Sequence, residues 1–295
     1  MEFNQLAAVV AVADEGSFTA AAEVLGHSQP AVSQAVRGVE RELGVPLFDR
    51  RSTGVTVTNA GEAFLGPARQ ALHDREVARD AVRSVVGLES GHLDIACIPS
   101  LAADIAAPVV GAFRRRHPGI TVRLREPDEG ATVEDLVRQG RSEIGFCALP
   151  PSGDGLAGHA LEEQELLAVL SPGHASSLAR REAIPLERLA ELPLITAPAG
   201  ASTHEQLAVA LAAIGEELAP VIVTDHRDTI VPLVHAGAGA AVLPRAVAEA
   251  TASRWVRVLP LRPPVSRTVG LVHRDAVLSP AAAALTALAV DRLQA

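Results

Sequence analysis

The sequence predicts an α/β protein in which an N-terminal winged helix-turn-helix is followed by a long linker helix and a larger C-terminal domain with two lobes. Three observations predict this arrangement. Two short helical segments flank a glycine-containing turn near the N-terminus, apolar residues then recur at helical spacing, and strand and helix patterns alternate from residue 91 onward. We therefore expect three parts along the chain, at 1–58, 59–88 and 89–295.

The composition is typical of a protein that folds in a reducing compartment. The chain has 295 residues, which is enough to bury a large core without disulfides, and it has only two cysteines. No charged and apolar leader follows Met1, and no uninterrupted apolar run reaches the roughly 18 residues of a membrane span. These features predict a cytoplasmic protein.

The N-terminal part contains three helical segments. Apolar spacing predicts a first helix over Glu2–Glu15 and a second over Phe18–Leu25, each ended by a glycine. Ser17 and Ser28 are placed to cap the second helix and a third that opens at Gln29. Two short helices joined in this way are typical of a helix-turn-helix, whose second helix enters the DNA major groove. On the first helix, the residues expected to face the core are Phe3, Leu6, Ala7, Val10 and Ala13.

The third helix has one apolar and one polar face. The residues expected to face the core are Val32, Val36, Val39 and Leu43. The opposite face carries Gln29, Pro30, Ser33, Gln34, Arg37 and Arg41. Because glutamine can bind adenine and arginine can bind guanine, this face predicts base readout. A solvated helix face has the same periodicity, so that alternative stays open.

The charge of the chain is unusual for a DNA-binding protein. The net charge is −9, and four arginines against seven acidic residues leave positions 1–58 with a charge of −3. The arginines all lie on the third helix or in the segment after it, whereas four of the acidic residues precede that helix. We therefore expect weak non-specific binding and a specificity that depends on few contacts.

The segment after the third helix predicts a β-hairpin that would form the wing. Val45–Phe48 and Val55–Thr58 are predicted as short strands around a loop that contains Gly54, with Arg50 and Arg51 in that loop. An arginine at such a tip can enter a narrow minor groove or contact phosphate. An exposed arginine in a turn is often only solvated.

A long ordered motif occupies about the first fifth of the chain. It consists of Gly16-Ser17-Phe18-Thr19-x-Ala21-Ala22, Leu25, Ser28-Gln29-Pro30-Ala31-Val32-Ser33-Gln34, Glu40, Leu43-Gly44, Leu47-Phe48-x-Arg50 and Thr58-x-Ala60-Gly61. This motif resembles that of the LysR-type transcriptional regulators. The resemblance implies a DNA-binding regulator controlled by a small-molecule effector, with double-stranded DNA contacts at Gln29, Pro30, Ser33, Gln34, Arg37, Arg50 and Arg51. Members often carry a basic residue at the position of Thr53, so here Arg51 would have to replace it.

Residues 59–88 predict a helix that pairs with another helix. The expected seam consists of Phe64, Ala68, Ala71, Ala78, Val82 and Val85, interrupted by Arg75. Pro67 is expected to bend or perturb the first turns. Packing on its own domain is the alternative, but the even spread of charge favours a partner helix. The resemblance implies a homodimer or homotetramer that binds half-sites with two-fold symmetry, and it makes RNA polymerase a further candidate partner.

The C-terminal part predicts an α/β domain with a mostly parallel sheet, because strands and helices alternate. The predicted strands are 92–98, 121–125, 143–148, 166–170, 194–196, 220–224, 240–243 and 268–273. The resemblance implies a periplasmic-binding-protein-like (type II) sensor. Its first lobe would comprise about 89–162 and 266–295, and its second about 163–265.

Several corners that follow strands carry hydroxyl groups next to predicted helix N-termini, where open α/β sheets bind ligands. By resemblance, the candidate effector contacts are Ser100, Leu101, Thr132, Phe146, Ala197, Ser202, Thr203 and His226. Thr132 with Asp135, and Ser202 with Glu205, also have the spacing of capping boxes, which satisfy backbone groups without a ligand. Hydroxyl and amide groups of this kind favour a small carboxylate-bearing effector.

The sequence does not favour an enzyme. It has no glycine-rich phosphate loop, metal-ligand spacing or nucleophile elbow, so no cofactor or metal is expected. Cys97 and Cys147 lie in apolar strands of the predicted first lobe. By resemblance, peroxide-sensing LysR-type regulators place their reactive pair of cysteines in the second lobe. A redox switch is therefore a minor hypothesis. A periplasmic solute carrier or a ligand-processing enzyme would share the lobes. The carrier would need an export signal and has no use for the first 88 residues.

Overall fold

The computed structural model describes residues 1–51, 54–84, 91–127, 132–171, 173–174, 182–252 and 256–293. Within these ranges no helix combines the length and the apolar character needed to cross a membrane.

Three helices open the chain close to their predicted positions. They are α1 (Phe3–Glu15), α2 (Phe18–Leu25) and α3 (Gln29–Leu43). Ser17 accepts hydrogen bonds from two backbone amides of the first turn of α2, and Ser28 accepts one from the first turn of α3. The predicted caps are confirmed, and the predicted helix boundaries hold to within one residue.

A β-hairpin and a long helix follow α3. Strands β1 (Phe48–Arg51) and β2 (Gly54–Val57) pair antiparallel, and α4 covers Asn59–Ser84. The first strand begins three residues later than predicted, because Glu40 Oε1 accepts the backbone amides of Leu47 and Phe48 and holds them at the end of α3. The prediction of a strand over 45–48 was therefore wrong, and Arg50 and Arg51 belong to β1 rather than to the loop.

Helix α1 buries more than the predicted face: Leu6 is buried as expected, and Val10 and Ala13 are partly buried against the core. Val9 and Val12 are fully buried, whereas Phe3 is 45% exposed. The reason is that α1 packs against α2, α3 and α4 together, so more than one side of it is covered. On α3 the predicted stripe is buried except for its last member, Leu43, which is 39% exposed.

Helix α4 packs its first half against its own chain. It continues through Pro67. Leu65 and Ala68 are buried, and Phe64 packs against the core of the three N-terminal helices. This part of the predicted seam is therefore occupied within the chain. Pairing of the later part with a second copy stays a prediction, and Val85 lies outside the described residues.

The C-terminal part is built from a sheet with helices on both sides. Its strands are β3 (Gly91–Cys97), β4 (Ile120–Arg125), β5 (Ile144–Ala148), β6 (Leu156–Leu170), β7 (Ile184–Pro185), β8 (Leu194–Thr196), β9 (Pro220–Val223), β10 (Ala240–Pro244) and β11 (Arg257–Arg274). Its helices are α5 (Pro99–Leu101), α6 (Ala107–Arg116), α7 (Val133–Arg138), α8 (Leu186–Ala190), α9 (Ser202–Ala212), α10 (Ile230–His235), α11 (Arg245–Thr251) and α12 (Pro280–Leu293), with a π-helix over Ala102–Ala106 and a 3-10 helix over Arg227–Thr229.

The sheet is mixed, so the prediction of a mostly parallel sheet needs correction at its centre. The strand order is β4-β3-β5-β11-β6-β10-β8-β9. The outer pairs on each side are parallel, whereas β11 runs antiparallel to β5 and β6, and β6 runs antiparallel to β10. The long strands β6 and β11 cross the sheet in opposite directions, which makes the centre antiparallel.

Two hydrophobic cores define two lobes. Lobe 1 is the part around the core that contains Phe113 and Leu285, and lobe 2 is the part around the core that contains Leu186 and Leu211. Strand β6 contributes to both cores, and so does β11 through Leu261 in lobe 2. The two long strands therefore connect the lobes.

Candidate functional site

The exposed face of α3 carries most of the predicted DNA contacts. Gln29, Pro30, Gln34 and Arg37 are all exposed. Ser33 differs, because it is only 2% exposed and its Oγ accepts a hydrogen bond from Arg37 Nη2 at 2.9 Å. In this structure Ser33 positions Arg37 rather than presenting its hydroxyl to DNA, which corrects the role expected for it.

Three residues of the sequence motif fix the hairpin against α3. Glu40 holds the start of β1, as described above. Thr58 Oγ1 donates to the carbonyl of Pro46 at 2.8 Å and accepts from the amide of Gly61 at 3.1 Å. Gly61 passes so close to this segment that a Cβ there would lie 2.3 Å from the carbonyl oxygen of Leu47. These motif positions serve the geometry of the wing.

The wing arginines lie on β1. Arg50 pairs with Val55 and Arg51 with Gly54 in the strand register. Thr53, where the resemblance called for a basic residue, lies outside the described residues. Contact of the two arginines with DNA stays a prediction.

Arg267 joins Ser100 and Ser202 across the space between the lobes, which we name the effector cleft. Its Nη2 donates to Ser100 Oγ at 3.0 Å, and its Nη1 donates to Ser202 Oγ at 2.8 Å. Ser100 lies in α5 of lobe 1, and Ser202 begins α9 of lobe 2. The structure therefore brings two predicted effector contacts, one from each lobe, onto a single guanidinium.

The capping-box alternative applies to Thr132 and fails for Ser202. Thr132 Oγ1 accepts from the amide of Asp135 at 3.0 Å and donates to its carboxylate at 2.8 Å. Ser202 is already the first residue of α9, and Glu205 accepts from the amide of Gly200 at 2.7 Å instead. The hydroxyl of Ser202 is thus used by Arg267 rather than by a cap.

The other predicted effector contacts have different surroundings. Leu101 and Phe146 are fully buried in the core of lobe 1, so their side chains are corrected to a packing role. Ala197 is buried, and its carbonyl lies 3.0 Å from Nδ1 of His204. The remaining two residues, a partly buried Thr203 and an exposed His226, stay predictions.

Sequence reasoning missed Arg267, although a signal for it exists. On β11 the side chains of Val265, Val269 and Leu271 are buried, and Arg267 occupies the inward position between the first two. A lone charged residue on the buried face of an alternating strand needs a partner. That partner is Gln164, its neighbour on β6, whose Oε1 accepts from Nε and Nη2 of the guanidinium.

The surroundings of Arg267 are strongly desolvated. Burial lowers the pKa of Arg267 to about 10, while the nearby carboxylate of Asp104 acts in the opposite direction. Burial also raises the pKa of Asp104, which accepts from Gln164 Nε2 at 3.0 Å. Within the described residues, Asp104 Oδ1 and, at the end of β8, Thr196 Oγ1 are buried without a hydrogen-bond partner. Unsatisfied buried atoms of this kind usually contact water or a ligand.

The two cysteines are poorly suited to redox chemistry. Both Cys97 and Cys147 are buried, and burial raises the pKa of each thiol to about 12. Such thiols are protonated at neutral pH and react slowly with oxidants, because the thiolate is the reactive form. In the part of the chain that the structure describes, no three His, Cys, Asp or Glu side chains are grouped to hold a metal.

Two family models match the chain. The model described as "Bacterial regulatory helix-turn-helix protein, lysR family" matches residues 3–62, and the model described as "LysR substrate binding domain" matches residues 87–294. The first match covers the three helices and the hairpin, and the second covers both lobes.

Similar proteins include two that are named as transcriptional regulators or activators. The probable HTH-type transcriptional regulator LrrA of Synechococcus elongatus is 34% identical over 255 residues, which are 84% of this chain and 82% of that protein. A probable hydrogen peroxide-inducible genes activator of Mycobacterium leprae is 30% identical over 279 residues, which are 92% of this chain and 87% of that protein.

Solved structures share the whole fold. A full-length OxyR variant from Pseudomonas aeruginosa matches with a TM-score of 0.81 at 22% identity, covering 100% of this chain and 95% of that one. Full-length CbnR complexed with its target DNA matches with a TM-score of 0.68 at 24% identity, covering 99% and 100%. The chain belongs to the LysR family of bacterial transcriptional regulators, with an N-terminal DNA-binding helix-turn-helix and a C-terminal effector-binding domain.

Proposed function

We propose that this regulator binds a dyad-symmetric DNA operator as a homodimer or homotetramer, and that a small carboxylate-bearing effector in the effector cleft controls the binding. The observation that supports the effector class is the position of Arg267. A buried guanidinium with polar contacts to both lobes is the protein group that pairs best with a carboxylate.

Arg267, Ser100 and Ser202 can form complete sets of hydrogen bonds both without and with a bound carboxylate. Without an effector, Ser100 and Ser202 accept hydrogen bonds from Arg267. A carboxylate would accept from Nη1 and Nη2 in the bidentate geometry that guanidinium favours. Because a hydroxyl both donates and accepts, the two serines would then turn and donate to the same carboxylate. The effector would also neutralise a cation that is only 3% exposed.

Binding of an effector in the cleft would change how the two lobes are arranged, and helix α4 would pass this change to the DNA-binding part. Ser100 and Ser202 belong to different lobes, so an effector that contacts both binds one lobe arrangement better than another and shifts its population. Helix α4 packs against α12 of lobe 1 and against α1 of the N-terminal part. A change between the lobes would therefore alter the spacing of the two α3 helices in a dimer.

On the DNA side, the exposed residues of α3 support base readout. Gln29, Gln34 and Arg37 offer the donors and acceptors that distinguish base pairs in the major groove. Two copies related by a two-fold axis would place their α3 helices at half-sites one or more helical turns apart, which is why the operator would be dyad-symmetric. The similar fold of CbnR, solved with its target DNA, supports this arrangement. RNA polymerase is the partner that an activating outcome would require.

A thermal-shift assay over a panel of small carboxylates tests the effector class. An effector at about 100 times its Kd stabilises the folded state by about 2.7 kcal/mol and raises the Tm by several degrees. The shift should disappear in Arg267→Met. It should persist in Arg262→Met, which changes an exposed arginine of the same strand. Stabilisation that survives Arg267→Met, or that only uncharged compounds produce, would contradict the proposal.

Selection of genomic fragments with the purified protein tests the DNA function and would also identify the neighbouring genes. Recovered fragments should share two half-sites related by two-fold symmetry, and their recovery should change when the stabilising carboxylate is added. If the protein retains no duplex, including the DNA that flanks its own coding region, with or without metabolite extracts, the proposed operator binding is wrong.

A further inference from the structure

A pair of histidines lies on the two long strands at the lobe 1 end of the sheet. His159 of β6 is opposite Leu271, and His273 of β11 is opposite Ala157, so the two histidines are diagonal neighbours on one face of the sheet. Both side chains are partly exposed. Six positions along β11, or about 20 Å, separate His273 from Arg267. The pair is therefore distinct from the effector cleft.

The two Nε2 atoms are as far apart as two nitrogens that bind one metal ion. They are 3.0 Å apart, and the ring centroids are 5.2 Å apart, so the two Nε2 atoms face each other. A bond between a metal ion and imidazole is about 2.0–2.1 Å long, so two imidazoles on one ion place their nitrogens about 2.9 Å apart at a right angle and about 3.3 Å apart at a tetrahedral angle. The observed separation is close to the value for a right angle.

The backbone fixes the tautomer of His273. Its Nδ1 lies 2.7 Å from the carbonyl oxygen of Arg274, and because a carbonyl only accepts, Nδ1 carries the hydrogen. The lone pair of His273 is therefore on Nε2, where it accepts the hydrogen of His159 Nε2. Histidines that bind metals usually donate their other ring N–H to a carbonyl or carboxylate in this way. The contact with Arg274 thus orients His273 as a metal ligand.

His159 can become the second ligand without a change of charge. Its Nδ1 has no hydrogen-bond partner among the described residues, so the hydrogen of Nε2 can move to Nδ1 through solvent. Burial lowers the pKa of His159, and His273 acts in the same direction, so the ring is neutral at neutral pH, which is the form that binds metals. Each ring must also turn by roughly 40° to direct its lone pair at a shared ion, a rotation about its own side-chain torsions.

We propose that His159 and His273 bind a divalent transition-metal ion through their Nε2 atoms, with water at its remaining positions. Imidazole suits Zn²⁺, Ni²⁺ and Cu²⁺, and ligands near a right angle favour Cu²⁺ and Ni²⁺, of which Cu²⁺ binds more tightly. In the described ranges no third His, Cys, Asp or Glu joins the pair, so the site is open to solvent ligands. The bound ion cross-links β6 to β11, the two strands that connect the lobes.

Calorimetric titration of the full-length protein with Cu²⁺ tests the site, in a glycine buffer that competes for weaker sites on the surface. We expect one saturable site. Its affinity should fall about tenfold or more in His159→Gln and in His273→Gln, because each variant keeps a single imidazole. In the unaltered protein, Ni²⁺ and Zn²⁺ should bind more weakly than Cu²⁺.

Pulsed electron paramagnetic resonance counts the imidazoles on bound Cu²⁺ and so identifies the ligands independently of the affinity. The unaltered protein should show two imidazoles, and each glutamine variant should show one. His235→Gln, which changes an exposed histidine at the end of α10, is the matched control and should keep both the affinity and the spectrum.

His159→Glu separates metal binding from a structural role of the pair. Glutamate has the shape of glutamine but ends in a carboxylate, which binds metals. This variant should therefore bind Cu²⁺ more tightly than His159→Gln, with one imidazole in the spectrum. Cu²⁺ should also raise the Tm of the unaltered protein and of His235→Gln by more than that of either glutamine variant. If the pair only supported the fold, glutamate and glutamine would give the same Cu²⁺ affinity.

Two results would overturn the proposal. One is Cu²⁺ binding no stronger than in the double variant His159→Gln with His273→Gln, which would mean that the two rings form a hydrogen-bonded pair only. The other is a spectrum with two imidazoles that persists in His159→Gln, or a site that His235→Gln abolishes. None of these experiments uses DNA or an effector, so their failure is distinguishable from failure of the proposed function.

Discussion

Gln164 and Arg267 face each other across β6 and β11, and the amide oxygen of Gln164 accepts two hydrogen bonds from the guanidinium, at 3.0 Å from Nε and 2.5 Å from Nη2. Gln164 is 4% exposed, so a neutral amide holds a buried cation in place. This leaves Nη1 and a second hydrogen of Nη2 for the two serines. The orientation of the cation in the cleft therefore depends on its cross-strand neighbour.

Replacing Gln164 with Leu should lower the free energy of unfolding by about 1.5–3 kcal/mol, because a buried charge loses its main acceptor. Urea denaturation followed by circular dichroism measures this change. In the double variant Gln164→Leu with Arg267→Met, the buried charge is absent and most of the loss should be recovered. Additive effects of the two substitutions would show that the amide does not stabilise the cation.

Gly61→Ala should destabilise the N-terminal part by about 1–3 kcal/mol, since a Cβ would lie 2.3 Å from the Leu47 carbonyl oxygen and 2.6 Å from Val57 Cγ1. The same assay, applied to Gly38→Ala, provides the control. There the added Cβ meets only the end of the Gln5 side chain, which can turn aside at the cost of its hydrogen bond from the amide of Glu2, so a smaller change is expected. Equal effects of both substitutions would exclude the close approach of the backbone as the cause.

Arg37→Ala should weaken operator binding by about 1–3 kcal/mol. If Arg37 binds a base edge, the loss should be confined to sequences that carry the preferred base at one position of each half-site. A uniform loss across sequences, with a shallower salt dependence, would instead indicate phosphate contact. Gel-shift titrations over single-base operator variants measure this, and Arg188→Ala, at an exposed site on lobe 2, should leave the affinity unchanged.

Stability should depend on pH through Asp104. Folding raises the pKa of this carboxyl, so the folded state holds its proton more tightly than the unfolded state. The free energy of unfolding therefore decreases as the pH rises from the ordinary carboxyl value of 3.8 through the raised pKa. Asp104→Asn should remove that decrease in urea titrations at successive pH values. Asp154→Asn, at an exposed position, should keep it, and an unchanged pH profile in Asp104→Asn would refute the assignment.

Peroxide at concentrations that oxidise accessible thiols should leave operator binding unchanged, because both thiols are buried and protonated at neutral pH. The double variant Cys97→Ala with Cys147→Ala should behave like the unaltered protein in the same binding assay. If oxidant changes DNA binding and the double variant abolishes that response, the chain is a redox sensor despite the burial of its cysteines.

Local sequence signals predicted the N-terminal fold well. Caps such as Ser17 and Ser28 act on the next few amides, so their effect is visible from spacing alone. Which face of α1 is buried depends on three helices that pack around it, and no local period encodes that choice. For the same reason, the displacement of β1 was not predictable, because it results from a contact between Glu40 and Leu47, seven positions later.

The effector cleft was only half predictable. Ser100 and Ser202 were expected there because each follows a strand and lies at a helix start. The group that joins them was missed, because Arg267 is 167 and 65 positions away and only the pairing of β6 with β11 brings it near. The spacing of Ser202 and Glu205 also suggested that Ser202 caps a helix. In the structure its hydroxyl instead accepts a hydrogen bond from Arg267.

Strands β6 and β11 stay in unbroken antiparallel register from Leu166 opposite Val265 to Glu162 opposite Val269, between the cores of the two lobes. A ladder of backbone hydrogen bonds resists opening but yields to torsion. Under the proposed mechanism, rotation of one lobe against the other would have to be absorbed as twist in this ribbon. The proposed effector response would then be an angular displacement of the lobes rather than a separation of these two strands.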